Sequence, residues 1–438
     1  MTNSPDPQTD APPSSWRWGV CGLLLLATTL NYMDRVALNQ SSVRISQALR
    51  LDNVEYGSLE SVFSLAFAVG TLVTGWLVDR AGVRWIYPLA VAGWSLAGFC
   101  TGFANTFAVL LICRCSLGFF EAANWPCGVR TVREAMPPAE RSLGNSLFQS
   151  GTAIGAIITP LIILLCMQYA DPHESERLAT VAVAGGAVVN VVGLPAESTW
   201  RLPFLAIGLL GFVWVFAWFL LPKGLFDRKS NSPVSASSIA SFSSVFRDRR
   251  FFILIAVIVG VNFAWHTFRI WLPKYLVHAG GYSEAAMLKF STLFYISADV
   301  GTWTVGLATL FLARRGFPLH SVRVAAFAGC TGLVLLSTMV VWVRQEWLLP
   351  VLLLAVGFGS LGLFPTYFAL SQELSATHQG KVTGTLGFIN ALVMAAMSAG
   401  QGAVIEATKR YDWALSVAGV PALIALMVLV YCWPKERA

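Results

Sequence analysis

The chain has 438 residues, of which 56% are hydrophobic and 12% are charged, and its formal net charge is +7. A soluble domain carries about twice that charged fraction, and so apolar a chain would expose large apolar patches to water. The charges stand in short clusters between apolar stretches, which is typical of the loops of a membrane protein. The composition therefore excludes a soluble enzyme and a nucleic-acid-binding protein, and it predicts a chain that crosses a bilayer many times.

Residues 1–15 are polar and proline-rich, which predicts a disordered cytoplasmic tail. Beyond them, apolar stretches of the roughly 20 residues that a spanning helix needs recur along the chain. Pro126 and Pro365 predict a kink or a local opening in the fourth and tenth of these stretches. The twelve predicted spans lie near 16–40, 57–79, 85–106, 107–130, 144–169, 200–222, 251–277, 287–313, 321–343, 347–372, 381–407 and 411–434.

Residues 223–250 are serine-rich and basic, and they predict a cytoplasmic linker between two six-helix halves, 16–222 and 251–434. Residues 170–199 contain a stretch too short and glycine-rich for a further span, so we expect an external loop there. With the N-terminus inside, the inner face collects twice as many lysine and arginine residues as the outer face. The positive-inside rule then predicts a multi-pass protein of the inner membrane with both termini in the cytoplasm.

The loop between the second and third predicted spans carries the sequence GWLVDRAGVR, residues 75–84. It resembles the G-x-L-x-D-R-x-G-x-R/K signature of the major facilitator superfamily at every defined position. We expect one glycine to permit a close helix approach, the other to permit a tight turn, and the aspartate to latch one side of the molecule by pairing with an arginine or a helix end. The defined residues that form this predicted latch are Gly75, Asp79, Arg80, Gly82 and Arg84.

Three further stretches narrow the resemblance: NYMDR at 31–35, RCSLGFFEAANWP at 114–126 and WLPKYL at 271–276. Together they resemble the anion:cation symporter family, especially its hexuronate and galactonate-type sugar-acid transporters, over essentially the whole chain. The resemblance implies the twelve-helix major facilitator fold. It also implies that the arginines of spans 1 and 4 bind a carboxylate and that nearby acidic residues carry a coupled proton.

Inserting a charged residue at the centre of a spanning helix costs a free energy of about 2.5–3.5 kcal/mol on insertion scales. Charged residues inside the predicted spans must therefore face the interior of the bundle and pair there, or line a wet cavity. Arg35 and Arg114 are predicted at similar depths, where two guanidinium groups form a fork for a carboxylate. Six such residues are Asp34, Arg35, Arg114, Glu121, Arg269 and Asp299.

The acidic residues near these arginines are candidates for proton coupling. A carboxyl group in a cavity that alternately wets and dries can take up and release a proton. Glu121 is favoured because it lies deeper and shares a helix face with Arg114, seven residues away. Asp34 can share this duty, or Arg35 or Arg114 can hold it ionised.

Polar residues in the same spans are candidates for contacts with the rest of a ligand. Tyr32 and Asn124 can bond hydroxyl groups, and the resemblance assigns Asn390 the same role. In the second half Trp265 and Arg269 join the predicted substrate site, and Arg269 either adds a third cationic contact or pairs with Asp299 as a gate. We interpret His266 as a histidine of the apolar core in preference to a proton-carrying site.

These features predict a proton-coupled symporter that moves an organic monocarboxylate, such as a hexuronate or an aldonate, by alternating access. Sodium-coupled uptake and anion exchange stay open as alternatives. Three buried arginines oppose a cationic ligand, so a drug exporter is disfavoured. The loops leave no room for a signalling domain, which disfavours a sensor. The spans show no nucleophile–base pair or metal cluster, so we expect no enzymatic activity. We also expect no metal, no cofactor apart from the coupling proton, and a monomer.

Overall fold

The computed structural model describes residues 14–136, 141–170, 199–221, 248–343, 347–374 and 379–434. Nearly all of the predicted tail and of the predicted external loop, and most of the predicted linker, lie outside these ranges, so these assignments stay predictions. Within the described ranges the regular structure is helical throughout.

Most helices are long enough to cross a bilayer, and apolar residues run along them with few interruptions, as a spanning helix requires. The first half contains α1 (Ser14–Gln40), α2 (Ser42–Leu49), α3 (Asn53–Ala81), α4 (Val83–Thr101), α5 (Phe107–Glu121), α6 (Asn124–Ala135), α7 (Arg141–Ala170) and α8 (Arg201–Phe219). The second half contains α9 (Arg249–His278), α10 (Glu284–Arg314), α11 (Leu319–Leu335), α12 (Leu348–Gly362), α13 (Phe364–Glu373), α14 (Gln379–Thr408), α15 (Tyr411–Ser416) and α16 (Val420–Cys432).

These helices make twelve passes, because α5 with α6, α12 with α13, and α15 with α16 each form one pass, and α2, with eight residues, is too short to cross. Ten described segments are long and apolar enough to span a membrane. The other two passes are α1 and α4. Large apolar side chains such as Ile112 and Phe216 are 66% and 69% exposed, which suits contact with lipid. The prediction of an all-α membrane protein with twelve spans in two six-helix halves is confirmed.

Two passes are broken where proline was predicted to open them. The helix of the fourth pass breaks at Ala122–Ala123, before Pro126, and that of the tenth pass breaks at Leu363, before Pro365. A proline has no N–H to donate, and its ring clashes with the carbonyl four residues earlier. The short helix α2 was not predicted, because its eight residues are only weakly apolar.

We call the end of the bundle that carries Ser14 and Cys432 the terminal face, and the opposite end the distal face. At the distal face α3 of the first half crosses α14 of the second half at very short range. A Cβ added to Gly402 would lie 2.4 Å from the Asn53 carbonyl oxygen, and one added to Gly57 would lie 2.6 Å from the Ser398 carbonyl oxygen. Only glycine permits this approach, so the distal contact between the halves depends on both positions.

We expect Gly402→Leu to block closure of the distal face and to abolish uptake, because the new side chain would occupy the space of the α3 backbone. Spin labels on Gln47 and Ala279, which are exposed on opposite halves at this face, should move apart. Gly400→Leu is the matched control, since nothing described lies within 4 Å of a Cβ added there. Equal label distances in both variants would contradict the assignment of Gly402 to the contact.

Candidate anion site

A carboxylate at the centre of the bundle joins arginines from both halves. Glu60, on α3, accepts from Arg114 Nη2 at 2.6 Å and from Arg269 Nη2 at 3.3 Å. Asn39 Nδ2 also donates to its Oε1, at 3.2 Å. The side chains of Arg114, Glu60 and Arg269 are 1%, 1% and 5% exposed. Sequence reasoning missed Glu60, although it lies inside the second predicted span and could have been found as a carboxylate in an apolar helix.

A second buried ion pair stands beside this triad. Arg35 Nε lies 2.5 Å from Glu121 Oε2, and the Glu121 side chain is fully buried whereas that of Arg35 is 14% exposed. Glu121 lies near enough to Arg114 and Arg269 to interact with both electrostatically. Its assignment to proton coupling stays a prediction, and the structure places it in direct contact with one of the two arginines assigned to the carboxylate.

Arg35 and Arg114 meet around one aromatic ring. Their guanidinium carbons lie 5.2 Å and 5.0 Å from the centre of the Phe63 ring, and Arg35 also lies over Phe67 at 4.7 Å and Tyr32 at 5.7 Å. The expected convergence of the two arginines in the interior is therefore present. Stacking on aromatic faces holds each guanidinium plane and leaves its edge for hydrogen bonds.

Several donors of these arginines have no hydrogen-bond partner among the described residues. They are Arg35 Nη2, Arg114 Nε and Nη1, and Arg269 Nε, all of them buried atoms. Buried donors are normally satisfied. A set of unpaired cationic donors in one region is the arrangement that a ligand carboxylate can complete.

Asp34 lies on the side of α1 that faces α4. It packs against α4, where a Cβ added to Gly98 would lie 2.7 Å from Asp34 Oδ1, and that oxygen has no described hydrogen-bond partner. Asp34 is 2% exposed and interacts electrostatically with Glu121 and Arg114. It is therefore not held by an ion pair with its neighbour Arg35, which binds Glu121 instead.

The residues predicted to contact ligand hydroxyls are placed unequally. Asn124 is 1% exposed, its amide oxygen accepts from Tyr87 at 2.8 Å, and its amide nitrogen donates to Thr28 at 3.3 Å. Both ends of Asn124 are thus used inside the first half, which argues against a ligand contact in this conformation. Tyr32 and Asn390 are half-buried, and Asn390 Oδ1 has no described partner.

The described contacts of Arg269, His266 and Asp299 bear on the alternatives for the second half. Arg269 Nη2 donates to His266 Nδ1 at 3.1 Å, so His266 accepts there as a neutral ring. Asp299 accepts from Trp303 Nε1 at 3.2 Å on the same helix, and Trp303 is 62% exposed. The gate between Arg269 and Asp299 is therefore not formed, and Arg269 joins the cationic cluster.

Two further residues of α9, Trp265 and Lys274, are buried in the bundle. Trp265 is 4% exposed and stacks on Phe294 with ring centres 6.4 Å apart. Lys274 is 2% exposed, and its Nζ lies 3.9 Å from the Tyr56 ring centre. The Lys274 ammonium group is removed from water, and its contact with the Tyr56 ring compensates part of the lost hydration.

The loop motif at the terminal face forms the predicted tight turn. Gly82 has φ 76°, a value that other residues rarely adopt. Gly75, in contrast, has nothing described within 4 Å of an added Cβ, so no close helix approach occurs there in this conformation. The side chain of Asp79 lies outside the described atoms. Arg80 stacks on Trp76 at 5.3 Å, and Trp218 Nε1 donates to the Arg84 carbonyl at 3.1 Å.

Arg130, on α6, also holds this loop and was not predicted to do so. Its Nη1 donates to the Val78 carbonyl at 2.6 Å, and its Nε lies 2.8 Å from Glu134. The end of α3 is thereby tied to the second part of the broken fourth pass. A movement of this pass would therefore be transmitted to the motif loop.

Comparison with known proteins agrees with this architecture. The sequence profile of the Major Facilitator Superfamily matches residues 24–399. The chain belongs to the Major Facilitator Superfamily. The match covers nine of the twelve passes completely, and it includes every charged residue of the central cluster.

Two curated relatives from Escherichia coli (strain K12) are similar to this superfamily member. A protein named as a probable L-galactonate transporter is 26% identical over 321 residues, which is 70% of this chain and 65% of the relative. A hexuronate transporter is 23% identical over 376 residues, which is 82% of this chain and 80% of the relative. The predicted resemblance to sugar-acid transporters is confirmed at this level.

A solved structure supports the fold independently. It is a bacterial homolog of the human lysosomal transporter Spinster, in an inward-facing and unoccupied conformation. The TM-score is 0.73 at 18% identity, and the comparison covers 96% of each chain. At that identity the likeness shows a shared fold, which is that of a multi-pass membrane transporter.

Proposed function

We propose that the protein is a proton-coupled symporter of a sugar-acid monocarboxylate, such as a hexuronate or an aldonate. The observation that carries this proposal is the group of buried arginines, Arg35, Arg114 and Arg269, with unpaired donors in the middle of the bundle. Such donors favour an anion and oppose a cation. The names of the curated relatives favour a sugar acid among the possible anions.

The charge balance of the site supports coupling to protons. The three arginines stand with three carboxylates, Asp34, Glu60 and Glu121, so the group is neutral when all are ionised. A ligand carboxylate would add one uncompensated negative charge in a poorly solvated interior, which is costly. One proton taken up with each monocarboxylate restores neutrality. This requirement supports coupling to a co-transported cation, and the buried carboxyls that can take up a proton favour H⁺ in that role.

The position of the polar contacts between the halves supports alternating access. Asn53 Nδ2 donates to Glu406 at 2.9 Å, Gln40 Nε2 donates to Tyr295 at 3.2 Å, and Arg44 forms an ion pair with Glu284. All three join the halves near the distal face. With both termini in the cytoplasm, as the charge distribution predicts, these contacts would close the outer side of the bundle, and breaking them would open that side.

Uptake by purified protein in proteoliposomes tests the proposal. We expect D-glucuronate or L-galactonate to accumulate when the lumen is alkaline relative to the outside, because protons then flow inward with the anion. A protonophore should abolish the accumulation, and a sodium gradient alone should not support it. Accumulation that follows sodium and ignores pH would establish sodium symport instead. Exchange without accumulation under either gradient would establish an anion exchanger.

A further inference from the structure

We propose that Glu60 is a resident competitor for the substrate: its carboxylate occupies Arg114 in the empty site, and the substrate carboxylate takes its place there. This inference deepens the proposed function and rests on it for the identity of the ligand. Glu60 lies on α3, outside the two passes that carry Arg35 and Arg114.

The geometry of Glu60 is that of a bound ligand carboxylate. Its two oxygens receive guanidinium donors from two different helices, Arg114 on α5 and Arg269 on α9. The shorter contact, 2.6 Å, is made with Arg114. Charge-assisted pairs of this type are the interactions by which proteins recognise external carboxylates.

Arg114 cannot serve Glu60 and a substrate equally well at once. Its Nε and Nη1 are the buried donors without a described partner, whereas Nη2 is used by Glu60. A ligand that takes paired donors from Arg114 would share Nη2 with Glu60, because both paired edges of a guanidinium group include one hydrogen of this nitrogen. The two carboxylates would then repel each other across the same group, which weakens the contact with Glu60. Because Glu60 is tethered beside it, the competitor is present at a high effective concentration. Only a ligand with a carboxylate can replace it, and a neutral sugar cannot.

Displacement of Glu60 from Arg114 also affects the link between the halves. Glu60 and Arg114 belong to the first half and Arg269 belongs to the second, so the triad is one of the bonds across the interface. A ligand that draws Arg114 away leaves Glu60 with Arg269 alone. Binding thereby changes the contacts that distinguish one conformation from the other, which is the requirement for a ligand to shift a conformational equilibrium.

Two variants test the inference. In Glu60→Gln the competing charge is gone while the shape is kept, so D-glucuronate should bind about tenfold more tightly, as expected when one charge-assisted contact no longer has to be broken. In Glu60→Ala the carboxylate is removed and space is left, so added acetate should raise the melting temperature by several degrees. Glucose should have no such effect, and acetate should leave the unmutated protein unchanged.

The matched control is Glu284→Ala, which removes another carboxylate that pairs with an arginine of the opposite half, Arg44, but at the distal surface. Acetate should not stabilise it beyond the unmutated protein. Equal effects of acetate on both alanine variants, or affinity for D-glucuronate that is unchanged or weaker in Glu60→Gln, would overturn the role of Glu60. If no sugar acid binds the unmutated protein, the proposed substrate class fails, and the acetate comparison still decides whether Glu60 stands in for a carboxylate.

Discussion

Replacement of Arg114 by alanine should abolish sugar-acid binding and uptake. Its guanidinium group is buried against Phe63 and carries two donors without a described protein partner. Hydrogen bonds to charged groups contribute about 1.5–3 kcal/mol each, so the loss of two corresponds to an affinity lower by on the order of 100-fold or more. Arg114→Lys should also fail largely, because an ammonium group cannot present paired donors to a carboxylate. Binding measured by calorimetry on purified protein gives the comparison.

The folding of these variants needs its own measurement, because Arg114 also pairs with Glu60. Removing one partner of a buried pair costs about 3–5 kcal/mol, although Arg269 still pairs with Glu60 in the alanine variant. Arg114→Lys keeps a positive charge there and separates loss of binding from loss of stability. Arg410→Ala, which removes an exposed arginine paired with Asp412, should bind normally. Near-normal binding by Arg114→Ala would show that the carboxylate is held elsewhere.

The fold could be predicted from the sequence because its determinants are local and additive. Apolar runs of spanning length, the basic stretches that separate them, and the positions of Pro126 and Pro365 each act within a few residues. The burial of Arg35 and Arg114 followed equally directly, since a charge in an apolar helix must avoid lipid. The helical spacing also placed Glu121 on the inner face of its helix.

The pairing of the charges could not be predicted, because it depends on how the helices rotate against one another. Glu60 was missed as the partner of Arg114, since nothing in the sequence of α3 connects it to α5 and α9. Asp34 was predicted to share the proton coupling or to be held ionised by Arg35 or Arg114, and the choice was left open. Adjacent residues lie about 100° apart around a helix, so Asp34 faces α4 whereas Arg35 pairs with Glu121. Asn124 was assigned to the ligand by its position beside other polar residues, whereas Tyr87 and Thr28 use its amide.

The last expected result concerns coupling and uses Glu121→Gln, which mimics the protonated acid and nearly preserves its shape. We expect this variant to keep substrate binding and counterflow exchange but to lose accumulation driven by a pH gradient. Exchange needs only the loaded carrier to reorient, whereas accumulation needs a proton to be released on the inner side. Because Glu121 is fully buried and paired with Arg35, its neutral form frees Arg35 for the ligand while leaving no proton to release.

Asp34→Asn is the matched comparison, because Asp34 is equally buried yet has an oxygen without a described partner. Both variants should be assayed in proteoliposomes by counterflow and by pH-driven uptake of the same sugar acid. If Glu121→Gln still concentrates the substrate when a pH gradient is the sole driving force, Glu121 is not the essential coupling acid. Loss of accumulation in Asp34→Asn alone would then transfer the role to Asp34. Loss in both variants would mean that the two carboxyls act together, since each lies within electrostatic reach of the other.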